Sequence, residues 1–312
     1  MSKISILRKI TQQEDMNFLL ANRIPRRYAT LFMGWFSRIE NPIIRYLSLS
    51  VWKLFADDLE LHEARKSSFK SLHDCFTREL KPGARSINQD KNILVSPCDA
   101  IIGAHGKING TELFQAKGFP YTLNDLLMDE KLVEKYQNGF YITLRLTSTM
   151  YHHFHAPYAG KISEINYISG DTWNVNPIAL KRVEKLFCKN ERAIVDITLD
   201  KLNTSIAMVP VAAILVSSIK FHCLPDALNL KYKGPNKIPC QTSFNKGDEL
   251  GYFQHGSTII VFATSKLKIS NSISEGNIIR MGESLFTHIE SEQSNITDIT
   301  GHQEYLHQTS SF

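Results

Sequence analysis

The stretch from Phe253 to Thr264, FQHGSTIIVFAT, begins like a turn and continues like a buried β-strand. Residues 259–262 are all β-branched or aromatic, which is typical of a strand inside a sheet. Gly256 and Ser257 stand directly in front of that run. A simple turn would explain the glycine. A peptide bond that is built to break would explain both residues, because glycine tolerates strained backbone angles.

The bulk composition indicates a globular protein with a sizeable core. The chain has 312 residues, of which 43% are hydrophobic and 21% charged. The net charge of +5 is uneven, since residues 1–53 contain nine Lys or Arg and three acids. This bias favours an anionic surface near the N-terminus. We expect no nucleic-acid partner.

The cysteines and the N-terminus bear on the compartment. The five cysteines are odd in number and have no CxxC spacing, so we predict reduced thiols in a cytosol-facing protein. The first 20 residues carry charges among short apolar runs, so no secretory signal is expected. The most apolar run, 206–216, is shorter than the roughly 20 residues of a membrane-spanning helix. We therefore expect no integral membrane anchor.

The N-terminal part, residues 1–62, predicts helices. Residues 24–40 combine arginines with bulky aromatic residues. In the next segment, apolar residues recur at helical spacing at Ile44, Leu47, Val51, Leu54 and Phe55. Two interpretations stay open: helices that lie in a lipid headgroup layer, or a helix pair that packs on the protein's own core.

The rest of the chain predicts a β-rich catalytic domain over residues 63–290 and a polar tail over 291–312. From Ile93 onward, short β-branched runs are separated by Gly, Pro, Asn and Asp. A helix is expected within TLNDLLMDEKLVEKY, residues 122–136. The predicted fold class is α+β, with mainly antiparallel, barrel-like sheets and N-terminal amphipathic helices.

Three histidines occur close together in YHHFHAP, at His152, His153 and His155. On a strand, the last two would share one face. A zinc site usually needs a further Cys, His or acid at a recognisable spacing, and none is evident. We therefore expect no metal. Core or loop histidines that are hydrogen-bonded to the backbone are the simplest alternative.

An acid, a histidine and a serine on separate loops could form a proton relay. The order along the chain is Asp99, His155, Ser257. The histidine would take the hydroxyl proton and the aspartate would orient the histidine. The serine lies in Gly-Ser-Thr and not in a G-x-S-x-G elbow, so a conventional serine hydrolase is disfavoured.

The motifs as an ordered set resemble a known family, the pyruvoyl-dependent phosphatidylserine decarboxylases of the bacterial, membrane-associated type. The resemblance extends over residues 43–269. It is most specific in SPCDAIIGAHGKI (96–108), YHHFHAPYAGKISEINYISGDTWNVNP (151–177) and KGDELGYFQHGSTIIVF (246–262). Two positions depart from the family pattern: many relatives have Leu where this chain has His255, and several have an acid at Met150.

The resemblance implies that the chain cuts itself between Gly256 and Ser257. This would leave a β chain, 1–256, and an α chain, 257–312, whose first residue becomes a covalent pyruvoyl cofactor. The Ser257 hydroxyl would attack the Gly256 carbonyl to give an ester, and β-elimination followed by loss of ammonia would leave the pyruvoyl group. His155 is expected to be the base for this step, and Asp99 to orient it.

The resemblance also implies the reaction and its setting. The pyruvoyl carbonyl would form a Schiff base with phosphatidylserine, and loss of CO2 would give phosphatidylethanolamine. His152 is expected to assist decarboxylation or reprotonation, and Trp173 and Asn176 to shape the substrate pocket. A homodimer at an anionic membrane is expected, peripheral and on the cytoplasmic side of the cell membrane. Two alternatives stay open: a pyruvoyl decarboxylase of a soluble amino acid, and an inactive lipid-binding protein.

Overall fold

A computed structural model describes residues 24–56, 58–114, 119–215, 218–254 and 257–289, together with residues 15 and 18. The predicted scissile bond, through Gly256, and the polar tail 291–312 lie outside these residues, as does most of the segment before residue 24. Elements are numbered in chain order within the described part.

The structure contains short helices and many strands, as the pattern of the sequence predicts. The helices are α1 (Arg26–Phe36), α2 (Pro42–Phe55), α3 (Leu72–Phe76), α4 (Leu123–Leu127), α5 (Glu130–Tyr136), α6 (Pro177–Leu180) and α7 (Leu186–Lys189), and a 3-10 turn spans Leu61–Glu63. The strands are β1 (Ile93–Val95), β2 (Ala100–Lys107), β3 (Glu112–Phe114), β4 (Pro120–Thr122), β5 (Phe140–Leu146), β6 (His153–His155), β7 (Gly160–Ile168), β8 (Arg192–Leu199), β9 (Ser205–Ala212), β10 (Ser218–Phe221), β11 (Leu228–Asn229), β12 (Lys237–Phe244), β13 (Glu249–Phe253), β14 (Ser257–Ala263), β15 (Leu267–Ile269), β16 (Ile278–Ile279) and β17 (Ser284–His288).

The largest sheet has eight strands in the order β12-β7-β8-β9-β14-β5-β2-β16, and every neighbouring pair is antiparallel. Smaller sheets have the orders β11-β10-β13-β6, β1-β17-β15 and β3-β4. The α+β class with mainly antiparallel sheets is confirmed. Among the described strands, the edges β12 and β16 do not pair with each other, so the sheet is open, and the barrel-like detail stays a prediction.

Strand β14 lies in the interior of the eight-stranded sheet and is buried along its whole length. Ile259 and Val261 belong to the core on one face of the sheet, and Ile260 and Phe262 to the core on the other. Burial on both faces explains why residues 259–262 are continuously apolar and do not alternate with polar residues. The expectation of a buried strand is confirmed.

The expected helix over residues 122–136 is two helices. α4 ends at Met128, whose backbone adopts a left-handed conformation with φ of 50°. Asp129 then starts α5, because its side chain accepts hydrogen bonds from the amides of Lys131 and Leu132. The apolar periodicity continues through this break, so the sequence pattern gave no sign of two separate helices.

The two N-terminal helices expose much of their apolar surface. Asn41 caps α2 by accepting hydrogen bonds from the next two amides beyond Pro42. Leu47, Val51 and Leu54 of α2 are between 48% and 56% exposed. This part of the stripe therefore does not pack on the protein's own core. Within the described ranges, no helix combines the length and apolar character that crossing a membrane requires.

The prediction of five reduced thiols is wrong for one pair, because Cys223 and Cys240 form a disulfide. Cys223 follows β10, and Cys240 lies on β12. Folding brings their Cα atoms to 5.9 Å, within the range of disulfide bonds. This proximity is tertiary, so the spacing of cysteines along the chain carried no sign of it. Cys75, Cys98 and Cys188 are free thiols.

The disulfide predicts the number of thiols that react with an alkylating agent. In protein that is denatured without reductant, we expect alkylation of three cysteines, and after reduction of all five. Intact mass spectrometry would count the added groups. A Cys240→Ser control should show the same number with and without reductant. Alkylation of five cysteines in unreduced wild-type protein would contradict the assignment.

Candidate active site

Ser257 is the first residue of β14 and is completely buried. It lies between Leu146 of β5 and Ala212 of β9 in the ladder of the large sheet. Within the described part of the chain, its Oγ atom has no hydrogen-bond partner. Burying an unpaired hydroxyl costs stability, so such a group calls for an explanation, of which a catalytic role is one. The structure thus places a buried hydroxyl with free donor and acceptor capacity at the predicted reactive position.

A cavity of about 320 Å³ opens beside Ser257. Its walls come from the ends of β5 and β9, from the loop 174–176, and from Phe76 of α3. The walls are largely apolar, with a few polar groups that include Asn176 and Arg145. A cavity of this size accommodates a small polar headgroup.

His152 lies next to the cavity wall. Its ring packs on Phe76 with the ring centroids 4.0 Å apart. Nδ1 is 2.7 Å from the carbonyl oxygen of Met150, so Nδ1 carries the proton and donates it. Nε2 is buried and has no partner among the described residues. Burial lowers the pKa of His152 to about 3, so near neutral pH its Nε2 is an available proton acceptor.

His155 is at the other end of β6 and has both ring nitrogens engaged. Nδ1 is 2.9 Å from the carbonyl oxygen of Gly247 and therefore donates to it. Nε2 is 3.0 Å from the Tyr151 hydroxyl, which donates to it. Burial is the largest influence on its pKa and lowers it, while the Gly247 carbonyl and the charge of Asp99 act in the opposite direction.

Asp99 is completely buried and is held by two arginines. Its carboxylate accepts hydrogen bonds from Arg85 at 2.5–3.1 Å and from Arg280 at 3.0 Å. The backbone amide of Met281 donates a further bond at 2.9 Å. Arg85 also pairs with Glu63, and Arg280 with Glu60. These bonds satisfy the buried charge of Asp99, as a buried carboxylate requires.

The three predicted relay residues therefore do not form a direct hydrogen-bonded chain in this state. Asp99 bonds to arginines and not to His155, although the His155 amide donates to Pro97 in the loop that carries Asp99. His155 pairs with Glu249, whereas the His152 carbonyl accepts a bond from the amide of Phe253. Along this strand pairing, His152 lies beside the C-terminal end of β13 and His155 beside its start.

The two predicted pocket residues occupy different places. Asn176 lines the cavity, and its side chain caps α6 by accepting a bond from the Ala179 amide at 2.8 Å. Trp173 stands outside the cavity lining, and its ring faces the Arg26 guanidinium of α1 at 3.7 Å. Trp173 therefore joins the cavity loop to the N-terminal helix.

Sequence reasoning missed the polar partners of the predicted residues. Arg85 and Arg280 bond to Asp99 from 14 and 181 residues away in the chain, and only folding brings Arg280 to its neighbourhood. Tyr151, the partner of His155, is inside the quoted motif 151–177, which was the available signal. Across the described ranges, no three His, Cys, Asp or Glu side chains converge as a metal site would require.

Comparison with known proteins identifies the family of this chain. A sequence model of the family described as phosphatidylserine decarboxylase matches residues 72–287. A phosphatidylserine decarboxylase proenzyme from Saccharophagus degradans is 32% identical over 282 residues, which cover 87% of this chain and 96% of that protein. Proteins of the same name from Brevibacillus brevis and Clostridium beijerinckii are 32% identical over 277 residues and 38% identical over 223 residues. The first of these alignments covers 86% of this chain and 96% of the relative, and the second 71% and 70%.

The match covers the loop of Asp99, the histidine strand and the strand that begins at Ser257, so it includes every part of the candidate site. The chain belongs to the phosphatidylserine decarboxylase family.

Proposed function

We propose that this protein is a proenzyme that cuts itself before Ser257 and then converts phosphatidylserine to phosphatidylethanolamine and CO2. The observation that carries the proposal is the buried, unpartnered Ser257 hydroxyl beside a cavity, at the start of a strand that the sheet holds on both sides. Cleavage there would free the new N-terminus and leave the strand in place. The products would be a β chain, 1–256, and an α chain, 257–312.

The site suits a pyruvoyl group formed from Ser257. Position 257 borders the cavity, and its side chain has no competing hydrogen bond among the described residues. A pyruvoyl group there supplies an electrophilic carbonyl that takes up the substrate amine and accepts electrons as CO2 leaves. The apolar wall of Phe76 and Leu146 would exclude water from the reacting carbon.

The two histidines have separate proposed roles. His155 takes the Ser257 proton during self-cleavage, and the negative charge of Asp99 stabilises the imidazolium that forms. The Tyr151 hydroxyl must leave Nε2 before this step. His152 serves decarboxylation, because its ring packs on Phe76 of the cavity wall and its Nε2 has no partner among the described residues.

Variants separate these roles on a denaturing gel and by intact mass. We expect wild-type protein to give two fragments, the smaller of them blocked at its N-terminus. Ser257→Ala removes the attacking hydroxyl, so one uncut chain is expected, and His155→Ala should also stay mostly uncut. His152→Ala should be cut but should release CO2 from phosphatidylserine at a rate lower by about 10² or more, the usual contribution of an acid-base group.

Thr143→Ala is the matched control, because it removes another buried, unpartnered hydroxyl of the same sheet outside the cavity lining. This variant should be cut normally. Two fragments from Ser257→Ala would contradict the assigned bond. Full-length wild-type protein alone would favour the inactive lipid-binding alternative, and normal cleavage of His155→Ala with an uncut His152→Ala would exchange the two roles.

A membrane surface is the proposed location. Helix α1 exposes Tyr28, Phe32 and Trp35, which are 56–75% exposed and recur at helical spacing. Helix α2 exposes Ile43 and Tyr46 at 70% and 71% in addition to the aliphatic residues described above. Contiguous aromatic and aliphatic surface of this kind is typical of helices that enter a headgroup layer.

Two polar residues of α1 contact the rest of the protein. Arg26 forms an ion pair with Asp171, and the Thr30 hydroxyl accepts a bond from the amide of Leu215 at 3.0 Å. Leu215 lines the cavity. In α2, the Trp52 ring stacks on Phe76 of the cavity wall at 5.9 Å. Membrane docking of the two helices would therefore bring the cavity to the lipid surface.

The docking segment 1–62, the catalytic domain 63–290 and a homodimer are parts of the same proposal. The cytoplasmic side of the cell membrane is proposed from the family resemblance. The Cys223–Cys240 disulfide does not support that side, because disulfides are rare in reducing compartments. The docking argument holds for either side.

Vesicle flotation tests the docking surface. We expect a Phe32→Ser, Trp35→Ser variant to bind vesicles of phosphatidylcholine and phosphatidylserine at least tenfold more weakly than wild type, because burial of a large apolar side chain contributes about 1.5–3 kcal/mol. Self-cleavage should be unchanged. The control is Phe114→Ser with Met128→Ser, which removes exposed apolar side chains outside α1 and α2. Equal binding by the helix variant and wild type would contradict the docking proposal.

A further inference from the structure

Arg145 lies on β5, next to the start of β14. It is the cross-strand partner of Thr258, the residue after Ser257. Directly paired Cα atoms of antiparallel strands are about 5 Å apart. Arg145 and Ser257 both line the cavity of about 320 Å³. The pairing puts the Arg145 side chain on the same face of the sheet as Thr258. Because Arg145 and Ser257 nevertheless border one cavity at the end of the strand, a ligand attached at position 257 lies within reach of the guanidinium.

Arg145 is a partly buried cation. Across the described residues, its guanidinium group makes no hydrogen bond, ion pair or cation–π contact. Burial lowers its pKa, and no neighbouring acid opposes this effect. Other buried arginines of the chain differ, since Arg192 donates to four backbone carbonyls and Arg85 pairs with Asp99 and Glu63. Leaving a partly buried charge unpaired costs stability, which a bound anion would recover.

We propose that Arg145 binds the phosphodiester of the substrate headgroup and so positions the amine and carboxylate of the serine moiety at residue 257. This inference rests on the proposed function. Arginine presents several donors in a plane, which suits phosphate oxygens. In phosphatidylserine, the phosphorus is three bonds from the carbon that bears the amine. A single cavity can therefore hold the phosphate at Arg145 and the amine at position 257.

The carboxylate of the substrate is the wrong partner for this arginine. Decarboxylation disperses the negative charge of that group into CO2 and the reacting centre. A cation that binds the carboxylate would stabilise the ground state more than the transition state and would slow the reaction. The phosphodiester keeps its charge throughout, so binding it costs nothing in the chemical step.

The test measures ligand binding and turnover separately. The cavity is present beside an unmodified Ser257, so binding can be measured by calorimetry in the uncut Ser257→Ala protein. We expect Arg145→Gln to weaken binding of glycerophosphoserine about ten- to a hundredfold, because a charge-assisted hydrogen bond is lost. Arg145→Lys should lose less. In the self-cleaving chain, Arg145→Gln should raise KM for phosphatidylserine by about ten- to a hundredfold as well, while self-cleavage stays complete.

Lys107→Gln is the matched control, because it removes an exposed positive charge at the far end of β2, the neighbour of β5. This variant should change neither the binding of glycerophosphoserine nor KM for phosphatidylserine. L-serine, which lacks the phosphodiester, should bind equally to Arg145→Gln and to its parent. Inorganic phosphate should bind much more weakly than glycerophosphoserine.

Three results would overturn the inference: unchanged glycerophosphoserine binding in Arg145→Gln, an equal loss for L-serine, or inorganic phosphate that binds as tightly as glycerophosphoserine. The first two exclude phosphodiester recognition, and the third indicates a general anion site. If the wild type releases no CO2 from phosphatidylserine but Arg145-dependent binding persists, the proposed function fails alone. If turnover is present and KM is unchanged in Arg145→Gln, this inference fails alone.

Discussion

The pairing of β14 with a neighbour on each side is the constraint on which the rest of the structure depends. All seven residues from Ser257 to Ala263 pair with β5 on one edge and with β9 on the other. Four large apolar side chains, at residues 259–262, enter cores on both faces of the sheet. Their burial contributes about 6–12 kcal/mol at roughly 1.5–3 kcal/mol each. If the chain is cut directly before β14, the strand would stay bound between β5 and β9, and residue 257 would stay at the cavity.

The ion cluster around Asp99 is a second set of contacts between the two proposed fragments. Asp99 and Arg85 precede the proposed cut, whereas Arg280 and Met281 follow it. Glu60 belongs to the connection after α2 and pairs with Arg280. The cluster therefore links the segment after α2, the loop of Asp99 and the proposed α chain. The side chains of Asp99 and Arg85 are buried, the other charges are partly buried, and all are mutually satisfied, so removal of one member would leave a partner unpaired at a cost in stability.

Local patterns were sufficient to predict strands and to select candidate site residues. A run of β-branched residues favours a β-strand, so residues 259–262 were recognisable as a strand without a structure. The Gly-Ser-Thr element and YHHFHAP marked Ser257, His152 and His155 because family motifs preserve the order of such residues along a chain.

Features that depend on tertiary proximity were beyond the sequence. The Cys223–Cys240 disulfide, the arginines around Asp99 and the unpaired state of Arg145 each depend on which elements become neighbours in space. The orientation of the N-terminal helices was also not predictable from the sequence. Periodicity indicated an apolar stripe in α2, but whether a stripe faces the core or the solvent depends on how the helix docks. In α1, the docking contacts include the polar contacts of Arg26 and Thr30.

The central claim is that Ser257 becomes a ketone-bearing group, and trapping of its carbonyl tests this most directly. Active protein would be treated with sodium borodeuteride, and the fragment 257–312 would then be isolated and analysed by tandem mass spectrometry. The account predicts a fragment that begins with a deuterium-labelled 2-hydroxypropionyl group in place of residue 257. A fragment that begins with unmodified serine, or that carries no deuterium, would contradict it.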